Sequence, residues 1–581
     1  MIQKYFWEKN MDYIVNYNRW LNSSKVSKGD KLVLLSMNEQ EKADAFYKDA
    51  EFGTGGMRGI LGPGTNRLNE HTITRVTIAF GLFVKKTYED ASRKGIVISH
   101  DNRHFSREFT LLSARILNQM GINTYIFDDL RPTPELSFAV RELGCVGGIM
   151  VTASHNPKQY NGYKVYDDTG CQLVPDTIQP MLDILKELPN ELDVVIPSSE
   201  VKGINKIIPT SLDDKYCDLV LGCQIHPELD KKGFKVIYSP QHGASYESAL
   251  KVFSKAGYEI IPVKEQCVHD PDFGATKSPN PEVASAWELE LEYAKNNHAD
   301  LCVMTDPDGD RCGLAYLSSK GNYERLTGNQ SGALLIDYLF SNYLELGIMP
   351  KNPVMYDTIV TSDLGREVAR HYGVKVESFL TGFKYIGERI HHYELLGNGP
   401  TFVFGYEESY GCLIKPFVRD KDGVQAILLY SEMALYYKRK GLCLDEAYKN
   451  LEERFGYHFA TLKDAYFEGM EGNQTMARLM KELHETPLTE LAGLKISSIE
   501  DYLHDVITYS DGKKEDIVGL PVSDVLKYRF EDGSTLAIRP SGTEPKVKFY
   551  IETKGKTDSN LETKAASIYK GIMSRLGLEV K

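Results

Sequence analysis

GIVISHDNRHFSREFTLLSARILNQMGINTYIF, residues 95–127, is the stretch that decides the fold class. It opens on a short apolar segment, GIVISH (95–100), with the composition of a buried strand. Ser106 is a candidate N-cap, and Phe109, Leu112, Ile116 and Met120 then recur at helical spacing until Gly121 stops the helix. TYIFDD (124–129) starts a further strand, and GGIMV (147–151) reads as another. Strand, amphipathic helix and strand in succession build parallel or mixed sheets, with reactive loops at the strand ends.

The same rhythm returns at FKVIYSP (234–240), DLCVMT (300–305) and PVMYDTIV (353–360). After the last of these, Ser362 or Asp363 can cap a helix that closes at Gly373. The tail departs from the rhythm. TLAIRPSGTEPKVKFYIE (535–552) is two alternating strands around a polar loop, which predicts an α+β final domain. The stretches before residue 45 and around 470–515 are polar and helix-prone.

At 581 residues the chain exceeds one hydrophobic core; roughly 150 residues per domain implies about four domains. Apolar residues make up 42% and charged residues 26%, the balance of a water-soluble globular protein. A net charge of −13 argues against nucleic-acid or anionic-membrane partners, and it requires local cations wherever an anionic substrate binds. No apolar run reaches the roughly 18 residues of a membrane span. The first twenty residues lack a secretory signal's apolar core and cleavage site. Nine cysteines, scattered from Cys145 to Cys443 without a CxxC pair, fit reduced thiols in a cytoplasm. Cys267 and His269 have no second ligand pair at zinc-site spacing.

Four motifs carry chemistry. TASHNP (152–157) follows the strand GGIMV and places Ser154 on a strand-to-loop turn, where a hydroxyl projects from the sheet edge as a nucleophile. Serines in loops more often serve as caps. His155 can donate to the serine oxygen, and Lys164 in NGYKVY lies close enough to share the site. DPDGDR (306–311) packs Asp306, Asp308 and Asp310 into five residues, where they repel unless a hard cation or Arg311 compensates. An EF-hand is excluded because the sixth position is Arg311 and the twelfth is Leu317. GYEESYG (405–411) offers Glu407, Glu408 and Ser409 for sugar hydroxyls, although an exposed Glu-Glu pair is more often solvated surface. RPSGTEP (539–545) combines Arg539, Ser541, Gly542 and Thr543 as a phosphate cradle, the competing reading being a plain hairpin loop.

Together these are the parts of a phosphoryl transfer on a sugar phosphate. FGTGGMRG (52–59), TASHNP, DPDGDR, GYEESYG and RPSGTEP stand in the order of the signature segments of the α-D-phosphohexomutase family. The chain resembles that family over roughly residues 45–555, and within it the longer bacterial type of phosphoglucomutase. TGFK (381–384) and VRDKDG (418–423) add family-like Lys384 and Lys421. Tyr406 departs from the glycine that many members carry before the two glutamates, which bears on sugar preference.

The resemblance implies a four-domain, heart-shaped α/β architecture: 1–205 with the phosphoserine loop, 206–325 with the metal loop, 326–448 with the sugar loop, and an α+β domain at 449–581. It implies reversible interconversion of glucose 1-phosphate and glucose 6-phosphate through a phosphorylated Ser154 and glucose 1,6-bisphosphate. One Mg2+ per chain would be held by Ser154, Asp306, Asp308 and Asp310. Thr54, Arg311, Thr381, Gly382, Lys384, Glu407, Ser409, Lys421, Arg539, Ser541, Gly542 and Thr543 would bind substrate. Arg58 joins Ser154, His155 and Lys164 among the catalytic candidates, with His155 or Lys164 as proton shuttle. The alternatives are phosphopentomutase or phosphomannomutase and, in other classes, a phosphatase or a non-catalytic sugar-phosphate sensor. A cytoplasmic location is expected; monomer and dimer stay open.

Overall fold

A computed structural model describes residues 13–53, 56–467, 469–541 and 546–578. Two compact units emerge from it. The first takes the chain up to Gly328 together with Phe383–Gly441; the second takes Asn329–Gly382 and the chain from Leu442 onward.

In the first unit, β1 (Phe52–Gly53), β2 (Gly56–Ile60), β3 (Ile96–His100), β4 (Thr124–Ile126), β5 (Gly147–Val151), β6 (Tyr160–Asp167) and β7 (Asn205–Ile207) form one sheet in the order β1-β2-β6-β5-β3-β4-β7. β5, β3, β4 and β7 are parallel, and β6 and β2 continue the sheet antiparallel. Every residue of β3 and β5 is buried, as a central strand covered on both faces requires. The helix Glu70–Thr87 contributes Ile73, Val76 and Phe80, and the helix Ser106–Gln119 contributes Phe109 and Leu117, to a core with Ile96, Ile98 and Ile149. Ser106 does not cap its helix. Phe105 is the N-cap, at φ 64°, and the Ser106 hydroxyl instead donates to Asp101 Oδ1 at 2.8 Å.

A second sheet of the same unit orders β8 (Lys235–Ser239), β9 (Glu259–Pro262), β10 (Leu301–Thr305), β11 (Cys312–Leu317) and β12 (Tyr323–Leu326) as β12-β11-β10-β8-β9. β10 runs parallel to β8 and antiparallel to β11, so DPDGDR is the reversal between two buried neighbours. Gly309 makes that reversal possible. It sits at φ +69°, and a Cβ there would meet Pro132 Cβ at 2.7 Å.

The second unit carries parallel β13 (Pro353–Thr358) and β14 (Lys375–Phe379), joined through the helix Asp363–His371. Ser362 caps that helix by accepting from Leu364 N, as its position before the apolar run predicts. Back in the first unit, β15 (Thr401–Glu407) and β16 (Gly411–Leu413) form a hairpin, and the buried helix Gly423–Arg439 follows. The C-terminal sheet, again in the second unit, consists of β17 (Tyr457–Tyr466), β18 (Glu490–Leu491), β19 (Leu494–Asp501), β20 (Val506–Tyr509), β21 (Lys514–Asp516), β22 (Leu526–Phe530), β23 (Thr535–Pro540) and β24 (Lys546–Gly555). The helices Gly469–Glu485 and Leu561–Arg575 supply Leu479, Leu483, Ile568 and Ile572 to its core. The α+β tail is therefore present, but 490–516 is strand where helix was expected. β19 is the reason: a β-bulge between Ile496 and Ser498 makes Ile496 and Ile499 its core-facing pair and leaves Ser498 and Glu500 buried on the opposite face, which breaks the two-residue period. Among the described residues no helix is long and apolar enough to cross a membrane.

Candidate active site

Ser154 sits just past the end of β5 at φ 53°, in the left-handed region that non-glycine residues enter only when held there. The holding group is Arg103. Its guanidinium donates to the carbonyls of Ser154 (2.6 Å), Asn156 (2.5 Å), Pro157 (2.9 Å) and Tyr160 (3.1 Å). Asp101 anchors Arg103 in turn, at 3.1 Å from Nε, and also accepts from Thr152 Oγ1 at 2.7 Å. Thr152 Oγ1 accepts from Ser154 N at 2.8 Å, which completes the brace. Sequence reasoning missed Asp101 and Arg103. The available signal was SHDNRH at the C-terminal end of β3, a polar run with paired charges at a strand end.

The Ser154 hydroxyl donates to Asp306 Oδ2 at 2.8 Å, and His155 Nδ1 lies 3.2 Å from Ser154 Oγ. Ser154, His155 and the aspartate loop are thus brought together across 152 residues of sequence. Asp306, Asp308 and Asp310 are all buried, with ligand atoms within 4.8 Å of one another. Burial and the neighbouring Asp308 and Asp310 push Asp306 well above the usual carboxylate range. Although burial opposes it, Lys164 Nζ, donating at 2.8 Å, holds Asp308 well below that range. Asp308 Oδ1 and Asp310 Oδ1 are buried without a hydrogen-bond partner. Buried carboxylate oxygens without donors are costly unless a cation answers them. An all-oxygen donor set fits a hard divalent ion such as magnesium.

Cations ring the loop. Lys164 is 3.6 Å from Asp310, and Lys421 Nζ is 3.1 Å from Asp310 Oδ2 and 3.9 Å from Glu407. Asp310, Asp420 and Glu407 hold the Lys421 ammonium charged despite burial. Lys421 reaches this point because Gly411 gives way: a Cβ there would meet Lys421 Cδ at 2.0 Å. Asp422 then caps the helix Gly423–Arg439 by accepting from Val424 N and Gln425 N, which fixes the chain beside it. Arg311 pairs with Glu282 at 3.0 Å and keeps its Nε 3.8 Å from Asp310. Arg58, on β2, donates to Asn156 Oδ1 at 3.2 Å. Glu407 is buried at the end of β15, Ser409 lies in the turn that follows, and Lys384 opens the buried start of the helix Lys384–Leu396.

Thr381, Gly382, Arg539 and Ser541 belong to the second compact unit. Arg539 is paired in register with Lys548 of β24, and Ser541 N donates to Lys546 O at 2.8 Å. Thr54, Gly542 and Thr543 lie outside the described residues.

Four family models match in chain order. They are phosphoglucomutase/phosphomannomutase alpha/beta/alpha domain I at residues 49–191, domain II at 214–318, domain III at 327–455, and the C-terminal domain at 474–570. A phosphoglucomutase of Staphylococcus aureus (strain bovine RF122 / ET3-1) is 36% identical over 516 residues, 88% of this chain and 91% of that protein. Among solved structures, a phosphoglucomutase/phosphomannomutase family protein from Burkholderia thailandensis aligns at TM-score 0.65 and 18% identity, covering 91% of this chain and 98% of that one. Parafusin (phosphoglucomutase) from Paramecium, in its open form, aligns at 0.63 and 19%, covering 91% and 94%. These two likenesses concern the fold, and they agree with the order of α/β domains and α+β tail described above. The chain belongs to the phosphoglucomutase/phosphomannomutase family, the α-D-phosphohexomutases, and has their four-domain architecture.

Proposed function

We propose that this mutase interconverts glucose 1-phosphate and glucose 6-phosphate, with Ser154 as the residue that carries the phosphoryl group between turnovers. The observation behind this reading is the Ser154 hydroxyl, 2.8 Å from Asp306 beside two carboxylates with unanswered oxygens. The 36% identity to a curated phosphoglucomutase supports the choice of glucose.

Asp306, Asp308, Asp310 and the Ser154 oxygen would hold one magnesium ion, which supplies charge neutralisation for phosphoryl transfer. Ser154 gives its phosphoryl group to the hydroxyl at the free end of the sugar monophosphate. The P–O bond to Oγ breaks as the bond to the sugar oxygen forms, and the product is glucose 1,6-bisphosphate. His155, 3.2 Å from Oγ, is the nearer group for moving the proton. Lys164 is occupied by Asp308 and acts as fixed charge. After the intermediate turns over, its other phosphate returns to Ser154. Arg58, Arg311, Lys384 and Lys421 supply cations around the transferring group, and Glu407 and Ser409 take the sugar hydroxyls. Thr54, Thr381 and Gly382 complete the substrate contacts, and Arg539, Ser541, Gly542 and Thr543 hold the phosphate that is not reacting.

The test is phosphopeptide mapping of the purified protein alongside steady-state assays with glucose 1-phosphate, mannose 1-phosphate and ribose 1-phosphate. Phosphate on Ser154, highest kcat/KM for the glucose ester and loss of turnover in Ser154→Ala are expected. Full turnover by Ser154→Ala would sink the assignment.

A further inference from the structure

Away from the aspartate loop, the second unit gathers a different set of metal-binding side chains. His484 lies in the last turn of the helix Gly469–Glu485, Asp501 at the end of β19, and His504 in the turn just after it. One ligand atom from each lies within 4.8 Å of the others. His484 Nδ1 is 3.0 Å from Asp501 Oδ1, and His504 Nδ1 is 2.8 Å from Asp501 Oδ2. The backbone amides of Leu503 and His504 donate to Asp501 Oδ1 at 3.0 and 3.2 Å, so the carboxylate is pinned before any ligand arrives.

Proton counting at His484 singles this cluster out. Its side chain is only 3% exposed, and both ring nitrogens face carboxylates: Nδ1 faces Asp501, and Nε2 is 2.9 Å from Asp524 Oδ1. An ionised carboxylate only accepts, so the Nε2 proton goes to Asp524. A neutral imidazole then turns a bare Nδ1 lone pair toward Asp501, and Nδ1 is buried without a hydrogen-bond partner. Two electron-rich atoms 3.0 Å apart need positive charge between them. Either a second proton on the ring or a metal ion supplies it.

Burial opposes the proton, but hydrogen bonds to Asp524 and Asp501 outweigh it and raise the His484 pKa, so the carboxylates suit a proton; the placement of the partners suits the ion as well. An N–H donated outward to a carboxylate is the arrangement that fixes the tautomer of a metal-bound histidine. Ligands at about 2.0–2.2 Å from a zinc-like ion stand roughly 3–3.5 Å from each other; the two imidazole nitrogens already lie 3.0 and 2.8 Å from the two oxygens of Asp501, so a small adjustment brings the three groups onto one ion. His504, 58% exposed, leaves the cluster open to solvent for entry of the ion and for a water in a fourth position. We propose that His484 Nδ1, an Asp501 oxygen and His504 Nδ1 form a non-catalytic site for a divalent transition ion of the zinc class, with Asp524 as its outer partner. Two imidazoles select this class over magnesium, so the site is chemically distinct from the all-carboxylate loop. Bound there, the ion ties the end of one helix to the turn between β19 and β20.

Co2+ added to the full-length protein, with magnesium in large excess, tests this directly. Wild type is expected to bind one Co2+ with a visible d–d absorption band and to rise in Tm. His504→Asn, a change at an exposed side chain, should weaken binding at least about tenfold, and Asp524→Asn by about 10- to 100-fold. Asp308→Asn should leave the band unchanged. No Co2+ band in wild type, equal affinity in His504→Asn, or loss of the band in Asp308→Asn would each overturn the proposal. The first outcome would leave Asp501 and Asp524 holding an imidazolium.

Discussion

The aspartate loop 306–311 and the cluster around Glu552 are both buried and both rich in carboxylates, yet their oxygens are answered differently. Glu552 Oε1 accepts from Ser362 Oγ at 2.5 Å and His458 Nδ1 at 2.8 Å, and Asp363 N donates to both its oxygens. Asp363 receives Arg366 at 2.5 Å and Lys554 at 2.9 Å. Asp357 Oδ1 is the exception in that network. Around the loop, by contrast, two of the three aspartates keep an oxygen without a donor, and one of the three is pushed toward protonation. A network built for stability closes on itself. A site built for a ligand leaves acceptors open.

The contrast predicts opposite responses to removing a charge. Arg366 holds Asp357 at 2.6 Å as well as Asp363, and is itself buried, so Arg366→Ala strands Asp357 and leaves Asp363 to Lys554. A loss of about 3–5 kcal/mol is expected, read as a lower urea midpoint or Tm. Asp306→Asn removes a charge that its surroundings already oppose. In magnesium-free buffer its stability should match or exceed wild type, while kcat falls by about 10²–10³-fold in the presence of magnesium. If Asp306→Asn were as destabilising as Arg366→Ala, the distinction between the two clusters would fail.

How much of this was legible in the sequence depends on how local each signal is. Ser154 and Asp306–Asp310 announce themselves because the TASHNP loop and the carboxylate trio are each contiguous in sequence and follow readable strands. The strand and helix rhythm of 95–127 also survived, since periodicity is local. Arg103 could not be connected to Ser154 because its bonds go to backbone carbonyls 51–57 residues away, which leave no trace in side-chain pattern. The strands of 490–516 were hidden by the bulge after Ile496 and by Ser498 and Glu500, buried on the face away from the core, where burial depends on partners elsewhere: Glu500 is satisfied by Arg529 and Tyr502. His484 and His504 look unremarkable along the chain until the fold sets both beside Asp501.

The cradle at the end of β23 sharpens the comparison with a smaller effect. Its arginine is proposed to meet a ligand phosphate instead of a protein carboxylate. A charge-assisted arginine contact contributes on the order of 1.5–3 kcal/mol, so Arg539→Ala should lower kcat/KM by roughly 10- to 150-fold. Ser154 phosphorylation and Tm should change little. A lower Tm with wild-type kcat/KM would make this loop an ordinary hairpin.

The smallest expected effect concerns pH, and it probes whether the Glu552 cluster is held by charge or by packing. Burial alone would lower the pKa of His458, but hydrogen bonds to Glu367 and Glu552 outweigh it and raise the value to about 9 from 6.5. A histidine whose pKa is raised on folding stabilises the native state fully below the unfolded value, and that contribution disappears as pH climbs through the folded one. The window is therefore pH 6.5 to about 9. A shift of that size corresponds to about 3 kcal/mol at most. Ser362 and Asp363 N would still satisfy Glu552 without the histidine, so His458→Gln should cost less, on the order of 1–2 kcal/mol. Urea titrations of wild type and His458→Gln across the window should show a gap that is widest near pH 6.5 and closes toward pH 10. A gap of constant width would mean that His458 acts through shape alone, and that closure of this network does not depend on its charge.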